Sequence, residues 1–270
     1  MKPDVLVVIG IGGMGQAIAR RLGSGKTVLL ADSNDETLQA AGASLSGDGY
    51  RVQTRSVDAS SAESVKALAQ EAAALGTVTQ VAHTAGLSPS QAPTAAILAV
   101  DLVGVALVLD EFANVIAPGG AGVVIASMAG YMFPPLTPEQ EQALIRTPPH
   151  DLLQLPFIAE LTEPGHAYGI AKRANHIQVQ AASRVWGDRG ARINSISPGI
   201  ISTPMSHEEL ASALGDGMRA MIAASAAGRM GTPDDIAVAA AFLLGPQASF
   251  ITGTDLLVDG GVTAAMLRSA

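Results

Sequence analysis

The amino-acid pattern predicts an α/β protein, a single domain over residues 1–270 built on one doubly wound parallel sheet of seven strands with helices on both faces. Three observations carry this. Apolar runs alternate with helical patterns from the first residues to near residue 200, as in repeated β-α units. No composition shift or low-complexity tract marks a linker. Hydrophobic residues make up 48% and charged residues 15%, at a mean hydropathy of +0.33, so a sizeable core can form.

Strands are expected at Val5–Ile9, Thr27–Ala31, Arg51–Val57, Thr77–Thr84, Gly122–Ser127, Arg192–Ser197 and Asp255–Val258, most of them apolar or β-branched. The first follows Lys2 and superficially resembles a leader, but Asp4 precedes a very short apolar run and no small-residue cleavage site follows. Between the strands, Ser60-Ser-Ala-Glu63 and Thr232-Pro-Asp-Asp235 each set a hydroxyl three residues ahead of an acid, a helix-start signal. Pro233 then falls at a first helical position, where its missing N–H costs nothing. Gly23 and Gly187 are expected to end helices.

Two segments break the rhythm. Residues 131–165 hold seven of the fifteen prolines, which excludes a long helix or a central strand, although Thr137 can cap a short helix through Leu144 and Ile145. Residues 205–230, rich in Ala and Met, read as loosely packed helices outside the sheet.

Charge and composition narrow the function. A net charge of −8 has the wrong sign for a phosphate-tracking nucleic-acid binder or a protein held to anionic lipid. With no cysteine there is no disulfide, thiolate metal site or Cys nucleophile, which suits a cytoplasmic protein. The longest apolar run, Ile236 to Leu244, is about half the ~18–20 residues a bilayer requires. His150, His166, His176 and His207 lack metal-ligand spacing and read as solvated or capping residues, so no metal is expected.

Gly10-Ile-Gly-Gly-Met-Gly15 fits G-x-G-x-x-G directly after a predicted strand and at the start of a predicted helix. Gly10 permits the tight turn, Gly12 lets backbone approach a pyrophosphate, and Gly15 allows close helix–strand packing, beside Gly13 and Met14. An ordinary Gly-rich β-α turn is the alternative for the glycines alone. Asp32, 22 residues after Gly10, adds a carboxylate that accepts from adenosine ribose hydroxyls and repels a 2′-phosphate, which points to NAD. Tyr168 and Lys172 lie one helical turn apart, so an ammonium stands beside a phenol and is expected to lower its pKa.

Taken with Asp58, His83-Thr-Ala-Gly86, Ile125-Ala-Ser127, Arg192-Ile-Asn-Ser-Ile-Ser-Pro-Gly199, Thr203-Pro204, Gly231-Thr-Pro-Asp-Asp-Ile236 and Val258-Asp-Gly-Gly261, these motifs resemble the short-chain dehydrogenase/reductase family over essentially the whole chain. The resemblance implies a Rossmann-type fold and an NAD-dependent alcohol dehydrogenase or ketoreductase. Tyr168 would be the acid/base, Ser127 would hold the substrate oxygen, and Lys172 would bind the nicotinamide ribose. Ser33, Asp58, Ala59, Ala85, Gly86, Pro198, Gly199, Ile201 and Thr203 would complete the cofactor site. It also implies a small-molecule alcohol or ketone as substrate and a homotetramer or homodimer.

Three departures stand out. The glycine loop is one residue shorter than the family form. His83 and Thr84 replace paired asparagines, with His83 read as a satisfied core histidine. Asp101 replaces a catalytic Asn, whose part would be carried by the main-chain carbonyl holding a relay water. The surplus chain between Ser127 and Tyr168 resembles an insertion in bacterial 3α-hydroxysteroid dehydrogenase/carbonyl reductases. It is expected to form a pocket for a bulky apolar substrate, or alternatively a subunit interface. A catalytically weak NAD(H)-binding regulator of the same fold is the second functional reading.

Overall fold

The structure, a computed structural model, describes residues 2–133 and 135–269. The chain starts with β1 (Asp4–Ile9), α1 (Gly13–Leu22), β2 (Thr27–Asp32), α2 (Asp35–Gly47), β3 (Arg51–Ser56), α3 (Ala62–Leu75) and β4 (Thr77–His83). A single helical rod follows, made of α4 (Thr94–Ile97), a π-helical stretch (Leu98–Gly104) and α5 (Val105–Ala113), and leads into β5 (Ile116–Ile125). Beyond a 3₁₀ turn (Met128–Tyr131) come α6 (Pro138–Arg146), a second 3₁₀ turn (Pro149–Gln154), α7 (Pro156–Ala159) and the long α8 (Pro164–Asp188). β6 (Arg192–Pro198), α9 (Pro204–Ala211), α10 (Gly215–Ala224), α11 (Pro233–Leu244), β7 (Asp255–Val258) and α12 (Val262–Ser269) complete it.

All seven strands run parallel in the order β3-β2-β1-β4-β5-β6-β7. The order reverses between β1 and β4, and a ligand crevice opens there beyond the carboxyl ends of the strands. Strand period divides the core in two. Val5, Val7 and Ile9 face a layer containing Leu68, Phe112 and Trp186, whereas Leu6 and Val8 face one containing Ile18, Leu38 and Ile236. Trp186 is fully buried and donates Nε1–H to the Leu109 carbonyl at 3.0 Å. Its ring lies so close to β5 that a Cβ at Gly122 would stand 2.7 Å from Cη2.

Several boundaries differ from expectation. β5 begins at Ile116, before the predicted Gly122, because Ile116 pairs with Val78 and the ladder then shifts to match Gln80 with Ala121. The cap of α3 is Ser61, which accepts from Ser64 N, while the preceding Ser60 turns back to Asp58. Gly187 does not stop α8, which runs to Asp188. Thr137 and Thr232 do form capping boxes, with Gln140 and Asp235 respectively.

Candidate active site

The crevice between β1 and β4 is a cleft of about 570 Å³. Its floor is the glycine loop, seated so tightly that a Cβ at Gly10, whose φ is +90°, would meet Ala85 N at 2.3 Å. A Cβ at Gly15 would lie 2.0 Å from the Gly10 carbonyl oxygen, so α1 can only pack here on glycine. Gly12, by contrast, caps α1 with no atom within 4 Å of a Cβ position, leaving room for a ligand at the positive end of the helix. Gly13, Met14, Ser33, Ala59, Gly86 and Thr203 also line the cleft, and none of its lining residues is Lys or Arg.

Asp32 lines the β2 end of the cleft and does more than the spacing revealed. Its Oδ2 accepts from Ile11 N at 2.6 Å and its Oδ1 from Asn34 N at 2.9 Å, so the carboxylate braces the shortened loop. Asp58 lines the same end, with Oδ1 accepting from both the amide and the hydroxyl of Ser60. Thr84 ties the two turns together by donating to the Gly10 carbonyl at 2.6 Å. Pro198, Gly199 and Ile201 lie where the chain leaves β6. Pro198 ends β6, and Gly199 and Ile201 border a separate cavity of about 190 Å³ with Asp259 and Gly260. There Gly199 N donates to Val258 O and Ile201 bridges to Gly231.

Ser127, Tyr168 and Lys172 are brought together, with Lys172 next to Gly86. The Ser127 side chain acts on the Tyr168 phenol in the sense that favours its ionised form, and Lys172 Nζ lies 5.4 Å from the centre of the Tyr168 ring. Lys172 is buried and donates to the Ile125 carbonyl at 3.4 Å. A Cβ at Gly86 would approach Lys172 Nζ at 3.2 Å, so the ammonium borders the cleft wall. The expected lowering of the Tyr168 pKa is corrected in direction: burial raises it, outweighing the opposing pull of Lys172 and of the Ser127 side chain.

Asp101 sits fully buried in the π-helical stretch. Its main-chain carbonyl, expected to hold a water, accepts from Asn175 Nδ2 at 2.7 Å. The carboxylate is the group turned toward the site, with Oδ1 accepting from Leu87 N at 3.0 Å and lying 3.9 Å from Lys172 Nζ. Burial raises its pKa to about 6, against the pull of Lys172 and of the Leu87 amide. His83 is not a satisfied core histidine. Both of its ring nitrogens are buried without a hydrogen-bond partner, and burial, assisted by Lys172, depresses its pKa to about 3.

Sequence reasoning missed a second cluster behind Ser127. His176, read as solvated or capping, is buried and hydrogen-bonds Ser197 Oγ through Nε2 at 2.8 Å. Tyr131 and Asp255 join it there. Position 176 continues the Tyr168, Lys172 face of α8 by one more turn, a signal that was present in the spacing. His150, His166 and His207 are exposed as expected, with His166 stacked on Phe133 at 5.3 Å between ring centres.

The inserted segment borders a separate cavity of about 450 Å³, lined by Leu144, Ile145, Pro148 and Leu152 together with residues of α5 and α8. Its prolines start short turns and helices whose apolar sides, Leu144, Leu152 and Ile158, join the core layer of α5 and α8. Arg173 on α8 clamps it through Glu141 at 3.0 Å. On the other rim, Met205 of α9 lines the cleft, and Glu208 accepts from Gln91 across it. Among the described residues, no cluster of His, Asp or Glu could hold a metal ion, and no helix is long and apolar enough to cross a membrane.

Comparison with known proteins agrees with this geometry. Residues 4–138 match the family model described as short chain dehydrogenase, and residues 154–263 match the one described as Enoyl-(Acyl carrier protein) reductase. The chain is 45% identical to a short-chain dehydrogenase/reductase of Alternaria brassicicola, across 99% of this chain and 98% of that one. It is 30% identical to D-threitol dehydrogenase of Mycolicibacterium smegmatis, across 96% and 92%. A solved short-chain type dehydrogenase/reductase from Mycobacterium ulcerans superposes with a TM-score of 0.75 at 25% identity, covering 100% and 95%. The chain belongs to the short-chain dehydrogenase/reductase family.

Proposed function

We propose that this oxidoreductase transfers hydride between NAD and a secondary alcohol or ketone, with Tyr168 as the acid/base. The observation that carries the reading is the meeting of Ser127, Tyr168 and Lys172 beside a cleft whose far end carries the Asp32 carboxylate.

The residues present fit a dinucleotide. Open space at Gly12 beside the α1 N-terminus suits the pyrophosphate, and Asp32 suits a ribose diol. A 2′-phosphate would meet that carboxylate with no Lys or Arg in the cleft lining to neutralise it, which favours NAD over NADP. Bound nicotinamide supplies the hydride acceptor or donor. In reduction Tyr168 gives its hydroxyl proton to the carbonyl oxygen, and in oxidation the phenolate, its own proton first released to solvent, takes the proton of the alcohol, a contribution of ~10²–10⁴-fold for a well-placed acid/base. Ser127 orients the same oxygen, and Lys172 keeps positive charge beside the phenol as proton density shifts.

Leu87, Val100 and Met205 line the cleft and give it apolar wall, which supports a substrate with bulky apolar substituents such as a hydroxysteroid. The test is turnover of a panel of secondary alcohols and ketones, hydroxysteroids included, with NAD and NADP in parallel. Oxidation or reduction of at least one class with NAD is expected. NADH binding without turnover across the panel would favour the regulatory reading, and preference for NADP would overturn the role of Asp32.

A further inference from the structure

We propose that Tyr131, locked by Asp255 and His176, is a positioning residue that holds the Ser127 hydroxyl in register with Tyr168. This rests on the catalytic reading of Ser127 given above.

Ser127 opens the 3₁₀ turn Met128–Tyr131 and caps it, its Oγ accepting from Ala129 N at 3.1 Å. Tyr131 closes the same turn, four residues later. A turn this short transmits displacement directly, so fixing its last residue fixes its first. The Tyr131 hydroxyl donates to Asp255 Oδ2 at 2.7 Å, at the start of β7. The other oxygen, Asp255 Oδ1, accepts from Ser195 Oγ at 2.6 Å and lies 3.4 Å from His176 Nε2. The His176 ring packs on the Tyr131 ring at 5.0 Å between centres, and its Nε2 reaches Ser197 on β6. The turn is therefore gripped from β6, β7 and α8 at once.

The fit leaves little slack. A Cβ at Gly130, between Ser127 and Tyr131, would meet His176 Cε1 at 2.9 Å and Arg173 N at 3.1 Å. His176 is also one turn beyond Lys172 and two beyond Tyr168 on α8. The helix that carries the acid/base thus also carries the contact that seats the Ser127 turn, so Ser127 and Tyr168 share one frame. His176 and Asp255 have side-chain exposures of 3% and 8%, whereas Tyr131 is 39% exposed, so its hydroxyl can be deleted with little disturbance of the core.

The experiment is a double-mutant cycle on the full-length protein with Tyr131→Phe, Ser127→Ala and the pair, reading kcat, KM, NADH affinity by fluorescence, and Tm. Tyr131→Phe is expected to lower kcat about 5- to 50-fold, with NADH affinity within twofold of the parent. In the Ser127→Ala background the same change is expected to have no further effect on kcat, because its route of action is gone. Asp255→Asn, which keeps an acceptor, is expected to retain more kcat than Asp255→Ala. An unchanged kcat in Tyr131→Phe, or an equal loss with and without Ser127, would overturn the proposal. If the parent protein shows no turnover at all, the catalytic reading fails instead, and NADH binding distinguishes that case from an unfolded preparation.

Discussion

Replacing Asp101 by Asn should change how stability depends on pH. The Asp101 side chain is fully buried, with Oδ1 bound to Leu87 N and Oδ2 without a hydrogen-bond partner. Burial lifts its folded-state pKa from 3.8 to about 6, and the attraction of Lys172 at 3.9 Å offsets only part of that. A carboxyl whose folded pKa exceeds its unfolded value favours the folded state while protonated. Its contribution is complete below about pH 4 and is lost as pH rises through about 6. At ~1.4 kcal/mol per pH unit of displacement, the parent loses ~3 kcal/mol between those limits. Asn cannot ionise and loses nothing. The stability difference between the two proteins should therefore move by ~3 kcal/mol in favour of Asp101→Asn between pH 4 and pH 7.5. At roughly 2–4 °C per kcal/mol for a chain of this size, the Tm difference should move by about 6–12 °C. Thermal melts in steps of half a pH unit give the answer, and parallel curves for the two proteins would refute the buried, poorly compensated carboxylate.

Substituting Asp32 by Ser should raise the ratio of kcat/KM for NADP over NAD at least tenfold. It should also weaken use of NAD, since the Ile11 amide loses its acceptor; an unchanged ratio would remove the discriminating role of the carboxylate. Gly122→Ala should destabilise the protein by ~1–3 kcal/mol, because the new methyl would stand 2.6–2.8 Å from Ile193 and Trp186 in a filled core, and a neutral urea midpoint would refute that overpacking. Thr232→Ala should cost ~1 kcal/mol by stripping the cap of α11, with Asp235→Ala close to non-additive since both act through one capping box.

Period and punctuation made most of the fold readable. The strand alternation of Val5–Ile9 appears directly as the split of those residues between two core layers. The glycine loop was legible because its spacing and its strand-to-helix context coincide, and Tyr168 with Lys172 because one helical turn sets them side by side. What stayed hidden depended on contacts distant in sequence. Nothing local to Asp101 shows that its carbonyl accepts from Asn175, 74 residues away, while its carboxylate faces Leu87 and Lys172. Asp255 in a short strand and Tyr131 in a turn are unremarkable until β7 and α8 bring them to His176. The direction of the Tyr168 shift was hidden for a related reason, since the neighbouring ammonium is visible in sequence and the burial that outweighs it is not. The packing of the inserted segment was equally hidden, since the apolar faces of its short helices find α5 and α8 through contacts no local pattern announces.

The most direct test of the proposed chemistry is turnover by Tyr168→Phe, measured with NAD on an alcohol that the parent oxidises, beside NADH affinity and Tm of the same preparation. Removing the hydroxyl deletes the proposed proton carrier but leaves the ring 5.4 Å from Lys172 Nζ. The expected result is a fall in kcat of ~10²–10⁴-fold with cofactor affinity and Tm close to the parent's. Turnover within a few-fold of the parent would contradict the assignment of Tyr168 as the acid/base.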